Sequence, residues 1–160
     1  MTANTNNAER LIDFVYYENQ LLDEGRYDEW YDLFDDDGVY WVPTSPDQTD
    51  KEGQASIALE SKLLLKLRIT RLHHERAHSL QPTVKGLHVV QRPVVGQPEN
   101  GFESVSCNLA YFEYQNGSQV TLGAKVRYLI RAQADALHIV EKRVALLGCD
   151  GFLPAIQLFI

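Results

Sequence analysis

The pattern of apolar and polar positions changes period about half-way along the chain. Leu11, Val15 and Leu22, with Phe14 alongside, recur at helical spacing, and Asn6 followed by Glu9 fits a capping box. This predicts a helix from about Asn6 to Asp23. Glu24-Gly25-Arg26 breaks it, and Tyr27 to Phe34 reads as a second short helix anchored by Trp30, Leu33 and Phe34. Asp35-Asp36-Asp37-Gly38 reads as a turn, Val39-Tyr40-Trp41-Val42 as a strand stopped by Pro43, and residues 43–54 as a polar loop. From about Ser56 to Leu80 a long helix is expected. Its apolar residues (Ile57, Leu59, Leu63, Leu64, Leu65, Leu67, Ile69, Leu72) lie around most of the circumference, so it needs cover on more than one side. Gln81-Pro82 ends it.

Beyond that point the period is two. Val84 to Val95 is strand-like, with Pro93 marking an edge or a bulge. Phe102 to Gln115 and Ser118 to Gln133 flank Asn116-Gly117, a strong hairpin signal. On the second of these strands Leu122, Ala124, Val126, Tyr128 and Ile130 face one way, with Lys125, Arg127 and Arg131 opposite. Leu137 to Leu147 supplies another strand. Helices first and long strands afterwards predict an α+β fold. One curved sheet, mixed or antiparallel, carries N-terminal helices and one long helix on its concave side.

At 160 residues the chain is expected to be a single domain, 1–160, large enough to bury a core without staples. No apolar stretch approaches the ~20 residues needed to span a bilayer, which argues against a membrane protein. Met1 to Asn7 is polar without a leader pattern, so a cytoplasmic location is expected. Cys107 and Cys149 are too few for a disulfide framework and are expected as reduced thiols packed in or near strands. The net charge of −7 divides unevenly: residues 1–55 carry −11 and residues 56–160 carry +4. The acidic front half repels phosphate backbones, so nucleic acid is not an expected partner. Oppositely charged surfaces on one chain do suit a subunit interface.

Three constellations bear on chemistry. His74-Glu75-Arg76-Ala77-His78 matches HExxH, the helical signature of zinc hydrolases, but no third ligand follows and the predicted helix ends at once. The reading preferred for it is polar residues in a last helical turn. Asp35, Asp37 and Gly38 partly fill a calcium loop, yet Leu33 and Thr44 occupy its essential ends, so a solvated turn is expected. Tyr16, Tyr17, Tyr40, Trp41 and His88 are candidates to line a cavity inside the curved sheet, as in a stand-alone isomerase, dehydratase or hydrolase acting on a small apolar substrate. Glu141 is the one acid within an apolar strand face, and its pairing with Lys142 or Arg143 is expected to be structural. Neither cysteine has histidine at the spacing of a Rieske cluster, and nothing completes a facial triad around His73, His74 or His78. No metal or cofactor is therefore expected on this chain.

Several segments taken in order resemble the small, or beta, subunits of aromatic-ring-hydroxylating dioxygenases. Leu21-Leu22-Asp23-Glu24-Gly25-Arg26-Tyr27-Asp28-Glu29-Trp30 is similar to their opening, and Tyr40-Trp41-Val42-Pro43 to their next strand. Arg68-Ile69-Thr70-Arg71-Leu72 with Arg76-Ala77-His78-Ser79-Leu80-Gln81-Pro82, then Leu87-His88-Val89-Val90 and Leu158-Phe159-Ile160, continue the likeness. His78 stands where the family has tryptophan, and Gly86-Leu87 replaces its Thr-Arg. The resemblance implies a cone-shaped fold of the nuclear-transport-factor-2-like type and a non-catalytic role. It implies partnership with an alpha subunit, as alpha3beta3 with a beta trimer. That alpha chain would carry a Rieske [2Fe-2S] cluster and mononuclear Fe(II), fed from NADH through a reductase, and would cis-dihydroxylate an aromatic ring with O2. Tyr40, Trp41, Arg76, His78, His88, Leu158 and Phe159 are the candidate pocket or subunit-interface residues.

Overall fold

The computed structural model describes residues 2–160, with side chains from Asn6 onward. Of the segment Met1 to Asn7, Met1 lies outside the described residues, and side chains are described only for Asn6 and Asn7. Helix α1 (Thr2–Asp23) already runs at Asn6, so that residue is not a cap. Its Leu11, Val15 and Leu22 are buried as the spacing requires. Helix α2 (Tyr27–Asp32) follows and buries Trp30. Strand β1 (Phe34–Pro43) starts earlier than expected. The acidic run is a bulge inside it rather than a turn before it, because Asp35 to Gly38 oppose a single residue, Val140, of the neighbouring strand. Asp35 is bound by Arg131, whose hydrogen bond holds its carboxyl below the usual carboxylate range.

The expected long helix is the largest correction. Residues Ser56–Ser61 form strand β2, paired antiparallel with β1, and only Lys62–Leu72 form helix α3. A non-helical turn and a short 3-10 segment, His78–Leu80, complete the stretch. Ile57 and Leu59 repeat at period two as well as within a helical pattern, and pairing with β1 decides between the two.

Strands β3 (Lys85–Val90) and β4 (Val94–Val95) are separated by a break that contains Pro93, and both pair with β5 (Glu103–Gln115). The hairpin into β6 (Ser118–Ala132) turns on Asn116 and Gly117, at φ of 52° and 76°. Both values lie in the left-handed region that a two-residue hairpin turn demands. β7 (Leu137–Leu146) completes a seven-stranded mixed sheet of order β2-β1-β7-β6-β5-β3, with β4 paired to β5 and β1 parallel to β7. α1 packs along β3 and β4, and α3 against β1 and β2, so the helices close the concave side over one core. Cys107 and Cys149 are free and buried.

Candidate functional site

The concave interior is where a cone-shaped protein would hold a ligand. Tyr40 of β1, Lys142 of β7 and Tyr128 of β6 stand side by side in register across it. Lys142 reaches the interior because Val140 is an extra residue in β7: Ile130 pairs with Ile139, but Leu129 pairs with Glu141. One inserted residue flips the strand's phase, turning Glu141 outward and Lys142 inward. Above them Glu18 of α1 is fully buried. Its Oε1 accepts from Lys142 Nζ and from Trp30 Nε1, each at 2.6 Å, and its Oε2 accepts from Tyr128 OH at 3.0 Å and Asn19 Nδ2 at 2.9 Å. Burial and then the Glu18 charge push the Tyr128 hydroxyl well above its ordinary range. A carboxylate that accepts four hydrogen bonds and neutralises a buried ammonium is a satisfied structural ion, with no face left to abstract a proton.

The mouth of the same cone is closed by the last residues of the chain. The Phe159 ring lies 4.5 Å from Trp30, 5.7 Å from Tyr40 and 6.0 Å from Tyr27, with the Arg68 guanidinium 4.2 Å above it. The tail backbone is held as firmly: Glu113 accepts from Gln157 N at 3.0 Å and Leu158 N at 3.1 Å. Arg68 donates to Leu158 O at 2.8 Å, and Ile160 N donates to Tyr40 OH at 3.1 Å. Burial raises the Tyr40 hydroxyl to about 12. Tyr111 donates to Glu113 at 2.7 Å, and burial together with that carboxylate raises its pKa too. Gly86 makes room for this arrangement, since a β-carbon there would sit 3.2 Å from both Leu158 Cδ1 and the Tyr111 hydroxyl.

Tyr40, Leu158 and Phe159 are thus brought together: Phe159 plugs the interior, while Tyr40 and Leu158 also line an open groove of about 520 Å³ beside the plug. His88 stands beside them, its ring 4.8 Å from Tyr111 and its Nδ1 2.6 Å from Asp23 Oδ1, which also accepts from the His88 backbone N–H. Trp41 lies on the opposite, convex face, where its indole donates to Ser56 Oγ at 2.9 Å and carries the Arg143 guanidinium at 4.9 Å. Tyr16 and Tyr17 are substantially exposed on α1 and line no interior. The interior around Glu18 and Phe159 is therefore filled by the protein's own side chains.

Arg76 and His78 are exposed on the turn after α3. The helix stops at Leu72, so His74 and His78 do not share a helical face as zinc hydrolysis by HExxH demands. His74 Nδ1 instead accepts from the Arg76 backbone N–H at 3.1 Å. Glu141 pairs with Lys51 and Arg127, not with the expected Lys142 or Arg143.

Apolar surface lies outside the cone. α3 buries only Leu65 and Ile69, leaving Leu63 70% and Leu67 60% exposed. Beside them a groove of about 520 Å³ runs between β2, α3 and the tail. On the convex face Leu87, Val89 and Tyr114 form a second exposed apolar stretch across β3 and β5.

A family model described as the ring hydroxylating beta subunit matches residues 17–149, most of the chain. The chain belongs to that family. Its beta-subunit relatives include the small oxygenase component of the p-cumate 2,3-dioxygenase system of Pseudomonas putida, 26% identical over 134 residues, which are 82% of this chain and 74% of the relative. The solved beta subunit of benzoate 1,2-dioxygenase from Burkholderia mallei superposes with a TM-score of 0.74 at 25% identity, covering 92% of this chain and 93% of that one. An NTF2-like protein with a cystatin-like fold, from Novosphingobium aromaticivorans, is similar at a TM-score of 0.59 and 18% identity, covering 87% and 80%, and speaks to the fold alone.

Two buried ions of this beta subunit, Glu18 and Lys142, escape a reading by periodicity. A signal for the first was present: Leu11, Val15, Glu18 and Leu22 continue one helical stripe, and an acid on such a stripe needs a buried cation. Lys142 carries no comparable local mark, because its inward direction depends on the bulge at Val140.

Proposed function

We propose that this beta subunit is the structural small component of the oxygenase of an aromatic-ring-hydroxylating dioxygenase, held against a large alpha subunit that performs the chemistry. The observation that carries the reading is the inversion of the cone. Its interior is closed by the Glu18–Lys142 network and the Phe159 plug, while α3 and the β3–β5 face turn apolar side chains outward. Such separate exposed apolar faces suit a subunit that touches more than one neighbour. We read the assembly as alpha3beta3 with beta chains touching one another, a reading supported by apolar faces on more than one side. The Rieske [2Fe-2S] cluster, the mononuclear Fe(II) and the electrons drawn from NADH through a reductase belong, in this reading, to the other components. Arg76 and His78, exposed beside α3, are interface residues here; Tyr40, Trp41, His88, Leu158 and Phe159 act by shaping the fold. Among the described residues no helix is long and apolar enough to cross a membrane, and the proposed location is the cytoplasm, where NADH is available.

The test is co-expression with a Rieske-type large subunit from the same genome. The two chains are expected to co-purify, and oxygenase activity is expected from the complex and not from this chain alone. Turnover by the isolated chain, or stoichiometric iron lost on His74→Ala or His78→Ala, would overturn the proposal.

A further inference from the structure

Between β7 and the plug, residues 147–156 form an irregular connector over the surface. It is pinned by two turn hydrogen bonds, Cys149 N to Leu146 O at 3.2 Å and Gly151 N to Gly148 O at 3.0 Å. At its crest Phe152 is fully exposed, flanked by exposed Asp150 and Leu147. A phenylalanine held in a turned loop with no cover is costly in water, and it has the size and rigidity of an interface anchor.

The same chain carries a receptacle of matching character. The groove of about 520 Å³ between β2, α3 and the tail has apolar walls that include Ile57, Leu64, Leu72 and Ile156, with Arg71 among its lining residues. That volume lies within the ~300–1,000 Å³ of pockets that enclose small organic groups, so one aromatic ring fits. Among the described residues Arg71 has no carboxylate partner; its guanidinium donates only to Ser79 Oγ at 3.3 Å. Phe152 lies four residues before Ile156, on the groove wall, yet it remains fully exposed, so its own loop does not fill the groove.

We propose that the Phe152 loop of one copy docks into the β2–α3–tail groove of a second copy, Phe152 entering between the apolar walls and Asp150 pairing with Arg71. The inference rests on the structural-subunit reading and names residues for its contact between beta chains. Charge supports a second copy as the occupant, since an acid two residues from the anchor meets a cation left without a carboxylate at the groove. The exposed Leu63 and Leu67 beside the groove extend the contact. Knob and hole sit on different parts of one surface, so the contact propagates from copy to copy and must close into a ring to be finite.

Sedimentation velocity on the full chain and on its complex with the large subunit tests this. Phe152→Asp and Leu64→Asp are each expected to weaken self-association about tenfold or more, as loss of a central aromatic anchor does. Phe152 is exposed, so Phe152→Asp should leave the circular dichroism of the chain unchanged, and also its melting temperature at concentrations where the parent is monomeric. Asp150→Arg and Arg71→Glu should each weaken the contact, and the two together should restore it. A mixture of Phe152→Cys and Leu64→Cys chains is expected to form a disulfide between copies, alone or within the complex. The proposal is overturned if self-association is absent or indifferent to Phe152→Asp and no such disulfide forms in either setting, including the case in which the large subunit covers the groove. Co-purification with the large subunit is read separately, so the structural-subunit reading can fail or stand by itself.

Discussion

Glu141 and Lys142 are neighbours on one strand, yet they belong to two different electrostatic worlds. Lys142 points into the cone and is fully buried with Glu18, Trp30 and Tyr128 around it. Glu141 points to the convex face, its side chain only 6% exposed beneath Lys51 and Arg127, which are each more than a third exposed and bind one carboxylate oxygen apiece. Inside, water cannot replace a lost partner, so the pair is indispensable as a pair although it adds little over an apolar filling of equal shape. Outside, the carboxylate is itself nearly covered, but its two cations reach water, so the loss of either one is softened by solvent and by the other. One strand therefore carries a sealed ion pair and an ion whose partners reach water, separated by a single peptide unit.

The most severe way to break this contrast is to exchange the two residues. Glu141→Lys combined with Lys142→Glu sets a second carboxylate against buried Glu18 and an ammonium against Lys51 and Arg127, so loss of cooperative folding is expected, read by circular dichroism and solubility. Next come Glu18→Ala and Lys142→Ala, each expected to cost about 3–5 kcal/mol in denaturant unfolding because an unpaired buried charge remains. The double substitution Glu18→Leu with Lys142→Met should cost much less than the sum of the single changes. Equal additivity would show that the two ions do not act as a pair.

Phe159→Ala removes the ring that plugs the cone and is expected to cost about 3 kcal/mol. If the cavity stays open, indole or toluene should raise the melting temperature of this variant and not that of the parent. The buried hydroxyls give a pH signature. Tyr40, Tyr111 and Tyr128 have folded pKa values raised above the unfolded value of about 10. Their contribution to stability is whole below pH ~10 and is lost as pH rises toward the Tyr40 value of about 12. Absorbance at 295 nm should therefore show these three of the eight tyrosines ionising only as the fold is lost. Smallest of all, Lys51→Met should cost ~1 kcal/mol or less, because Arg127 still partners Glu141, and the cost should shrink further with added salt.

How much of this was legible follows the range of the interactions involved. The β5–β6 hairpin was readable because Asn116-Gly117 and the alternating residues beside it carry their own instructions. The helices α1 and α2 were readable from their apolar spacing, and family motifs spread along the chain pointed to the cone fold and to a subunit role. Strand β2 was misread as helix because Ile57 and Leu59 satisfy both periods, and only pairing with Val39 to Pro43, far away in sequence, selects the strand. The candidate residues Tyr40, Leu158 and Phe159 were named without their geometry, since 120 positions separate Tyr40 from the Ile160 backbone that it accepts from.

Local chemistry along the chain was enough to settle the class of fold, the turn of the hairpin and the absence of Rieske spacing around the two cysteines. Which of two adjacent charges enters the core, that the tail fills the cone, and that α3 keeps leucines in water were decided only when distant strands came into register. A side chain's direction depends on its strand's phase, and phase is set by partners the local sequence does not contain.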